Sequence, residues 1–298
     1  MIKRLAKNLI SYLIKEHLEN AINRSLLNSF VLRTHGMTND LVSESGQSIV
    51  SLTTYGGRIY DVRLVIESLG LQTKKPKKII LWLDEDEFSI ADLPIGLLQQ
   101  IERGLEIRFC ENLRSYKKII PTLHCFRDAQ IITVDDDYIY PSDLIERLEA
   151  SLATRPGCIV SSFIHRMKFT KDGTPQNYAN WEKYIISDDP SMDVFPVGAG
   201  GVLYPRGCFD DHVLDPTLFM EIAPTADDVW LKYCTARAGF KSTQIKGAQT
   251  FASLYIELPS SKLNALYHEN VILRANDTQI AAVHELFFKN QKFEWRQN

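Results

Sequence analysis

From residue 48 onward the chain alternates short apolar, β-branched runs with segments of helical periodicity, and few folds accommodate that order. The runs are SIVSLTT (48–54), KIILWL (78–83), LEIRFC (105–110), QIITV (130–134) and CIVSSF (158–163). Each has strand length, and their nearly continuous apolar character is that of strands buried on both faces. Between them the spacing predicts helices from Ile59 to Leu71, Leu93 to Arg103, Lys117 to Phe126 and Ser142 to Leu152. Strand and helix in alternation give an α/β fold: a Rossmann-like, mostly parallel sheet flanked by helices and joined by right-handed crossovers. Beyond about residue 165 the alternation breaks down, apart from a helix expected from about Asp227 to Ala238. The expected organisation is an N-terminal amphipathic helical segment over 1–45, a single domain with an irregular second half over 46–280, and a helical tail over 281–298.

The 298 residues carry a formal net charge of −3 and no basic block, which leaves nucleic acid without an electrostatic footprint. The cysteines, Cys110, Cys125, Cys158, Cys208 and Cys234, are scattered and form no C-x-x-C pair. That argues against a disulfide framework or a zinc cluster and for a reducing, cytoplasmic setting. No apolar run approaches the ~20 residues of a membrane span, and the start lacks a signal-peptide core with its cleavage site. Near the start, Ile2, Leu5, Leu9, Tyr12, Leu13 and Ile14 recur at helical spacing among Lys3, Arg4, Lys7 and Lys15. Two readings stand for residues 1–18: a helix packed on its own domain, or a peripheral contact with the anionic inner face of the cytoplasmic membrane.

In open α/β sheets, ligands bind beyond the carboxyl ends of the strands. There the fourth run ends in IITVDDDYIYP (131–141), with Asp135, Asp136 and Asp137 adjacent. Two unit charges about 4 Å apart repel by ~1 kcal/mol in water and by ~4 kcal/mol at a protein-like effective dielectric. If the backbone stays extended, Asp135 and Asp137 point to one side and Asp136 to the other. Two carboxylates on one side suit a hard cation, Mn²⁺ or Mg²⁺, which takes oxygen ligands and keeps phosphate oxygens in its shell. The alternative is a solvated turn in which Asp137 or Ser142 caps the next helix.

ADDVWLKYCTARAG supplies a second acidic pair, Asp227 and Asp228. With Thr225 it resembles a capping box; equally, one of the two carboxylates suits a general base for an attacking hydroxyl. FPVGAGGVLYPRG, with Gly198, Gly200 and Gly201, is too compact for a dinucleotide fingerprint and lacks the Lys and Ser or Thr of a P-loop. Its glycines allow a tight bend or a close backbone approach to a ligand. TTYGGR, leaving the first run, offers Tyr55 for stacking on a base and Arg58 for a phosphate. Lys117 and Lys118 open a helix at another strand exit, where solvated lysines are the default. His268 and His284 are candidate metal ligands, and Trp181 a candidate sugar platform, whereas Trp230 is expected in the core.

The order of these motifs resembles bacterial nucleotide-sugar glycosyltransferases of the GT-A fold, and is similar to β1,3-galactosyltransferase-type and family 2-like enzymes. The resemblance runs over roughly residues 48 to 280 and is carried by IVSLTTYGGR, KIILWLDEDEF, YKKIIPTL, IITVDDDYIYP, FPVGAGGVLYP and ADDVWLKY. It implies that Asp137 ligates the metal, that Asp135 contacts the ribose or the metal, and that Asp136 supports the site. It implies Asp228 as the base of an inverting transfer, with an Asp at 227 where the family motif has Glu. Thr53, Tyr55, Arg58 and Lys118 match nucleotide-sugar-binding positions, and Gly200 and Gly201 match acceptor-side glycines. The family's metal-ligating His has no unambiguous match, His268 being the nearest candidate.

The expected activity is therefore a metal-dependent transfer from a nucleoside-diphosphate sugar, UDP favoured by the resemblance, to a saccharide or lipid-linked acceptor in surface polysaccharide synthesis. The alternatives are a nucleotidyltransferase making activated sugars and a non-catalytic sugar- or nucleotide-binding subunit.

Overall fold

The computed structural model describes residues 2–248, 255–262, 275–288 and 295, with residues 2–15 followed only as helix backbone. The five apolar runs become β1 (Ser48–Thr53), β2 (Lys78–Asp84), β3 (Leu105–Cys110), β4 (Gln130–Thr133) and β6 (Cys158–Ser161), with a two-residue β5 (Tyr138–Ile139) before the last. There follow β7 (Ile164–Arg166), β8 (Glu182–Ile185), β9 (Val194–Pro196), β10 (Val202–Tyr204), β11 (Lys241–Gln244) and β12 (Ile256–Glu257). The helices are α1 (Ile2–Thr34), α2 (Val62–Gly70), α3 (Ile95–Ile101), α4 (Ile120–Cys125), α5 (Leu144–Thr154), α6 (Pro216–Ile222), α7 (Asp227–Arg237) and α8 (Ala275–Phe288).

The fold is α/β, built on a seven-stranded sheet in the order β11-β6-β10-β4-β1-β2-β3. β1 pairs in parallel with β2 and β4, β2 with β3, and β11 with β6. One strand breaks the rule: β10 runs antiparallel between β4 and β6. Its first residue, Val202, therefore lies opposite Thr133, the last of β4, and the Gly-rich turn before it is delivered to the exit of that strand.

Period-two alternation divides the sheet's side chains between two cores. Val50, Leu52, Ile132, Val160 and Leu203 face a core built with α2, α3 and α5. Ile131, Ile159, Val202 and Tyr204 face the other, where Trp230 and Tyr233 of α7 meet Phe287 of α8. Two smaller sheets, β8-β7-β9 and β12-β5, lie beside the main one.

Two expected helices begin later than their periodicity suggests, because a 3₁₀ turn precedes each. Gly56–Tyr60 winds this way before α2, and Arg114–Lys118 before α4. The second turn buries Lys117 and Lys118, against the default of solvated lysines.

The C-terminal half of α1 packs on its own domain. Phe30 enters the core with Leu27 and Val31 against it, and Asn23 donates its amide to the Glu257 carbonyl while accepting the Glu257 N–H. Leu18, Ile22 and Leu26 are each at least half exposed. Among the described residues no helix is long and apolar enough to cross a membrane.

Candidate functional site

The acidic run lies beyond the end of β4, where the backbone bends at Asp136 and Asp137. Those two share Arg58, whereas Asp135 takes Lys118, so the grouping of Asp135 with Asp137 expected of an extended backbone is not the one seen. Asp136 turns inward, accepting from Arg58 Nη1 at 2.7 Å and from Thr54 Oγ1 at 2.6 Å. Arg58 leaves the 3₁₀ turn after β1, is itself buried, and donates its other nitrogen, Nη2, to the Ser261 carbonyl at 2.9 Å. Its guanidinium also stacks over the Tyr55 ring at 5.0 Å. Thr53, the last residue of β1, donates to the Trp82 carbonyl at 2.9 Å and so ties β1 to β2 at the site's edge.

Asp135 is on the opposite side and accepts from Lys118 Nζ at 2.9 Å. The same ammonium is 2.9 Å from Asp227 Oδ2 at the start of α7. Burial alone would lower the Lys118 pKa, but the carboxylates of Asp135, Asp227 and Asp228 outweigh it and raise that pKa well above the usual lysine range. Tyr140 fixes this loop from beneath, its hydroxyl accepting the Asp135 N–H at 2.8 Å.

Asp137 is the least compensated of the three. Arg58 Nη1 reaches its Oδ2 at 3.3 Å, while Oδ1 is buried and receives no hydrogen bond from the described residues. Burial, then repulsion from Asp135 and Asp136, push its carboxyl up to about 7, with Arg58 opposing. Glu257 adds to that repulsion from β12, a strand that pairs with β5 directly after the acidic run.

The adjacent carboxylates are thus relieved first by Arg58 and Lys118, leaving one under-compensated oxygen on Asp137. Among the described residues, Asp135, Asp136, Asp137, Asp227, Asp228 and Glu257 are met by those two cations alone, an excess of acid that favours a divalent cation. Mn²⁺ or Mg²⁺ fits this donor set of Asp137 and Asp135. Among the described residues no group of three His, Cys, Asp or Glu side chains gathers at ligand spacing. Such a cation would therefore complete its shell with water and phosphate oxygens, as Mg²⁺ commonly does.

Asp228 takes a different partner from its neighbour. Its Oδ2 accepts the Gly198 N–H at 2.9 Å, and the side chain is half-buried. Burial pushes this carboxyl up to about 7, Lys118 opposing and Asp227 and Asp135 adding to the rise. Neither acid caps α7: Ala226 holds the N-cap position without a side-chain bond. Thr225 instead exchanges two hydrogen bonds with Gln279 of α8. Nor does Asp137 cap α5, whose N-cap position is Asp143, again without a side-chain bond. Asp227 is buried and paired to Lys118.

Several expected site residues are placed elsewhere by the structure. Trp181 is 3% exposed, packs against Tyr178 and Phe195, and donates its indole N–H to the Gln176 carbonyl, so it is a core residue and no sugar platform. Gly200 and Gly201 are buried and face the protein's own side chains instead of an acceptor. A Cβ on Gly200 would come within 2.3 Å of the Phe163 ring, and Gly201, at φ +88°, packs on Leu144. His284 meets Tyr233 and Phe288 on the α7–α8 side and does not reach the acidic run. His268 lies outside the described residues.

Sequence reasoning missed Thr54, Glu257, Ser261 and Tyr255. Thr54 stood inside TTYGGR, but nothing marked it as the partner of Asp136. The other three come from a segment about 120 residues beyond the acidic run, which the β5–β12 pairing and the Leu258 N–H bond to the Asp137 carbonyl bring back.

No family model and no curated protein matches the sequence. Among solved structures, the chain is similar to CMP:2-keto-3-deoxy-manno-octonic acid synthetase complexed with CTP, at 11% identity and a TM-score of 0.42. That match covers 78% of this chain and 100% of that one. Similarity of this degree carries no argument about the site.

Proposed function

We propose that this chain is a metal-dependent glycosyltransferase that moves a sugar from a nucleoside-diphosphate donor, a UDP-sugar first, to a saccharide or lipid-linked acceptor. The observation that carries the reading is the sharing of Lys118 between Asp135 and Asp227, which brings the acidic strand exit and the start of α7 to one ammonium. A cation site and a candidate base then border the same space.

Asp137 and Asp135 would hold Mn²⁺ or Mg²⁺. When bound, such a cation neutralises charge on a departing diphosphate. Tyr55, half-buried and backed by Arg58, flanks the β1 exit where a base would stack. Lys118 stays protonated, so it adds fixed positive charge where negative charge develops. Asp228, with an acidity near neutral, takes the proton of the acceptor hydroxyl as that oxygen bonds to the anomeric carbon. The bond from that carbon to the phosphate oxygen breaks, its electron pair leaves with the nucleoside diphosphate, and configuration inverts.

The CTP-bound synthetase bears the name of a different reaction, the making of an activated sugar, and a nucleotidyltransferase is the alternative here. Arg58 argues against it in this chain: it is turned inward onto Asp136, Asp137 and Ser261, leaving TTYGGR without a free cation for a triphosphate. The products separate the readings. Purified protein with Mn²⁺ and a panel of nucleotide sugars should release nucleoside diphosphate, by hydrolysis or transfer. Pyrophosphate released from CTP and a free sugar acid, without diphosphate release from any nucleotide sugar, would establish the alternative. Neither product would leave a non-catalytic binding subunit.

A further inference from the structure

The small sheet β8-β7-β9 contains a strained residue that the site above does not use. Tyr184 has φ +49°, a left-handed conformation that aromatic residues seldom adopt. The register shows why. Ile164 pairs with Ile185 and Arg166 with Glu182, so Lys183 and Tyr184 together oppose the single residue His165. This is a β-bulge, a device that re-aims side chains and is over-represented next to active sites. His165 holds it in place: Nδ1 accepts the Tyr184 N–H at 3.0 Å, and the two rings meet edge to face at 4.7 Å. Burial, with Lys183 nearby, lowers the imidazole pKa to about 4, so the ring is neutral and able to accept.

The bulge directs an aromatic ring outward. Tyr184 is 56% exposed, and Ile186, two residues on, is 65% exposed. On its inner side the tyrosine meets Phe163, which packs on Tyr255 at 4.8 Å. Tyr255 meets Tyr138 and Tyr140 edge to face and donates its hydroxyl to the Gly200 carbonyl. A continuous series of rings thus joins Tyr184 to the acidic run and to the turn whose Gly198 holds Asp228. Strain of this kind persists only where the surrounding structure over-determines it, and it clusters at ligand-binding positions.

We propose that Tyr184 is the acceptor platform, its exposed face stacking on the C–H-bearing face of a pyranose ring. A rigid aromatic with a polar tip suits such an amphipathic ligand. This inference rests on the glycosyltransferase reading and supplies the sugar-contacting aromatic that Trp181 does not.

Tyr184→Gly is the decisive variant, because glycine accepts the positive φ while removing the ring. Its melting temperature should equal or exceed that of the native chain. With Mn²⁺ and UDP present, native protein should be retained on an array of immobilised hexose-containing glycans. Y184G should lose retention by roughly tenfold, the scale of a lost ring contact, whereas Y184F keeps it. UDP binding by calorimetry should be the same in all three. Equal retention of Y184G and native protein, with UDP binding intact, overturns the platform alone; so does a native chain that binds UDP but no glycan. A native chain that binds no UDP overturns the glycosyltransferase reading and the platform with it.

Discussion

Lys118 Nζ lies 2.9 Å from Asp135 Oδ1 and, through the same ammonium, ties the exit of β4 to Asp227 on α7. Lys118→Met removes the buried cation and leaves two carboxylates facing each other. The expected cost is about 3 kcal/mol of stability, typical of a buried pair that loses one partner. Adding Asp227→Asn should restore about 1–2 kcal/mol, because the two sites are coupled. Urea denaturation of the two variants measures both quantities, and strictly additive losses would contradict the shared ammonium.

Asp228 should make stability and activity depend on pH in opposite senses. Burial holds its folded-state value up at about 7, whereas an unfolded aspartate releases its proton near 4. Between those limits the folded chain binds the extra proton, so the residue's contribution to stability falls as pH rises. Asp228→Asn should therefore be more stable than the native chain by about 1–2 kcal/mol at pH 8 and nearly equal to it at pH 4. Native kcat/KM should rise with pH to a plateau above about 7, the limb of a base that must be deprotonated. Urea melts at both pH values, with a pH–rate profile, check this; a stability gap independent of pH would contradict it.

Gly198 is where the turn allows Asp228 its position. A Cβ there would lie 2.6 Å from Asp228 Oδ1 and 2.9 Å from Oδ2. Gly198→Ala should displace the carboxylate and lower kcat by roughly a hundredfold, the scale of a misplaced catalytic group. UDP binding should be unchanged. Steady-state kinetics with calorimetry distinguishes this from a general loss of folding.

Residues 1–18 carry basic side chains without a compensating acid before Glu16, and Leu18, Ile22 and Leu26 continue α1 as exposed apolar positions. The full chain is expected to sediment with anionic phospholipid vesicles at low salt, less so at high salt. Removing residues 1–18 spares Asn23, Leu27 and Phe30 and should abolish sedimentation without unfolding the domain. Unchanged partitioning of the truncated chain would leave packing on the domain as the helix's role.

The regular half of the fold was legible because β1, β2, β4 and β6 are almost wholly buried and so read as continuous apolar runs, while β3, half-buried at the sheet's edge, still has strand length. β10 was not, because three residues after a glycine turn leave too short a pattern to register. Asp135, Asp136 and Asp137 stood out as a strand exit, but period two did not give their arrangement, because the backbone bends at Asp136 and Asp137 and both meet Arg58. Arg58 and Lys118 were singled out as candidate ligand contacts, but not as the buried partners of these carboxylates. By composition Lys118 is an ordinary surface lysine until the 3₁₀ turn buries it, and Glu257 and Ser261 reach Asp137 and Arg58 through long-range pairing. Trp181 misled because a tryptophan near a loop suits a core as well as a platform, and composition does not separate the two.

The most direct test is calorimetry of UDP binding to the native chain and to Asp137→Asn, each with Mn²⁺ and with a chelator. Asp137 has the buried oxygen that no described residue satisfies, so the native chain should bind UDP at least tenfold more tightly with Mn²⁺. Asp137→Asn should bind UDP equally weakly in both conditions while keeping its near-ultraviolet circular dichroism. A variant that retains the full gain from Mn²⁺ would contradict a cation held at Asp137.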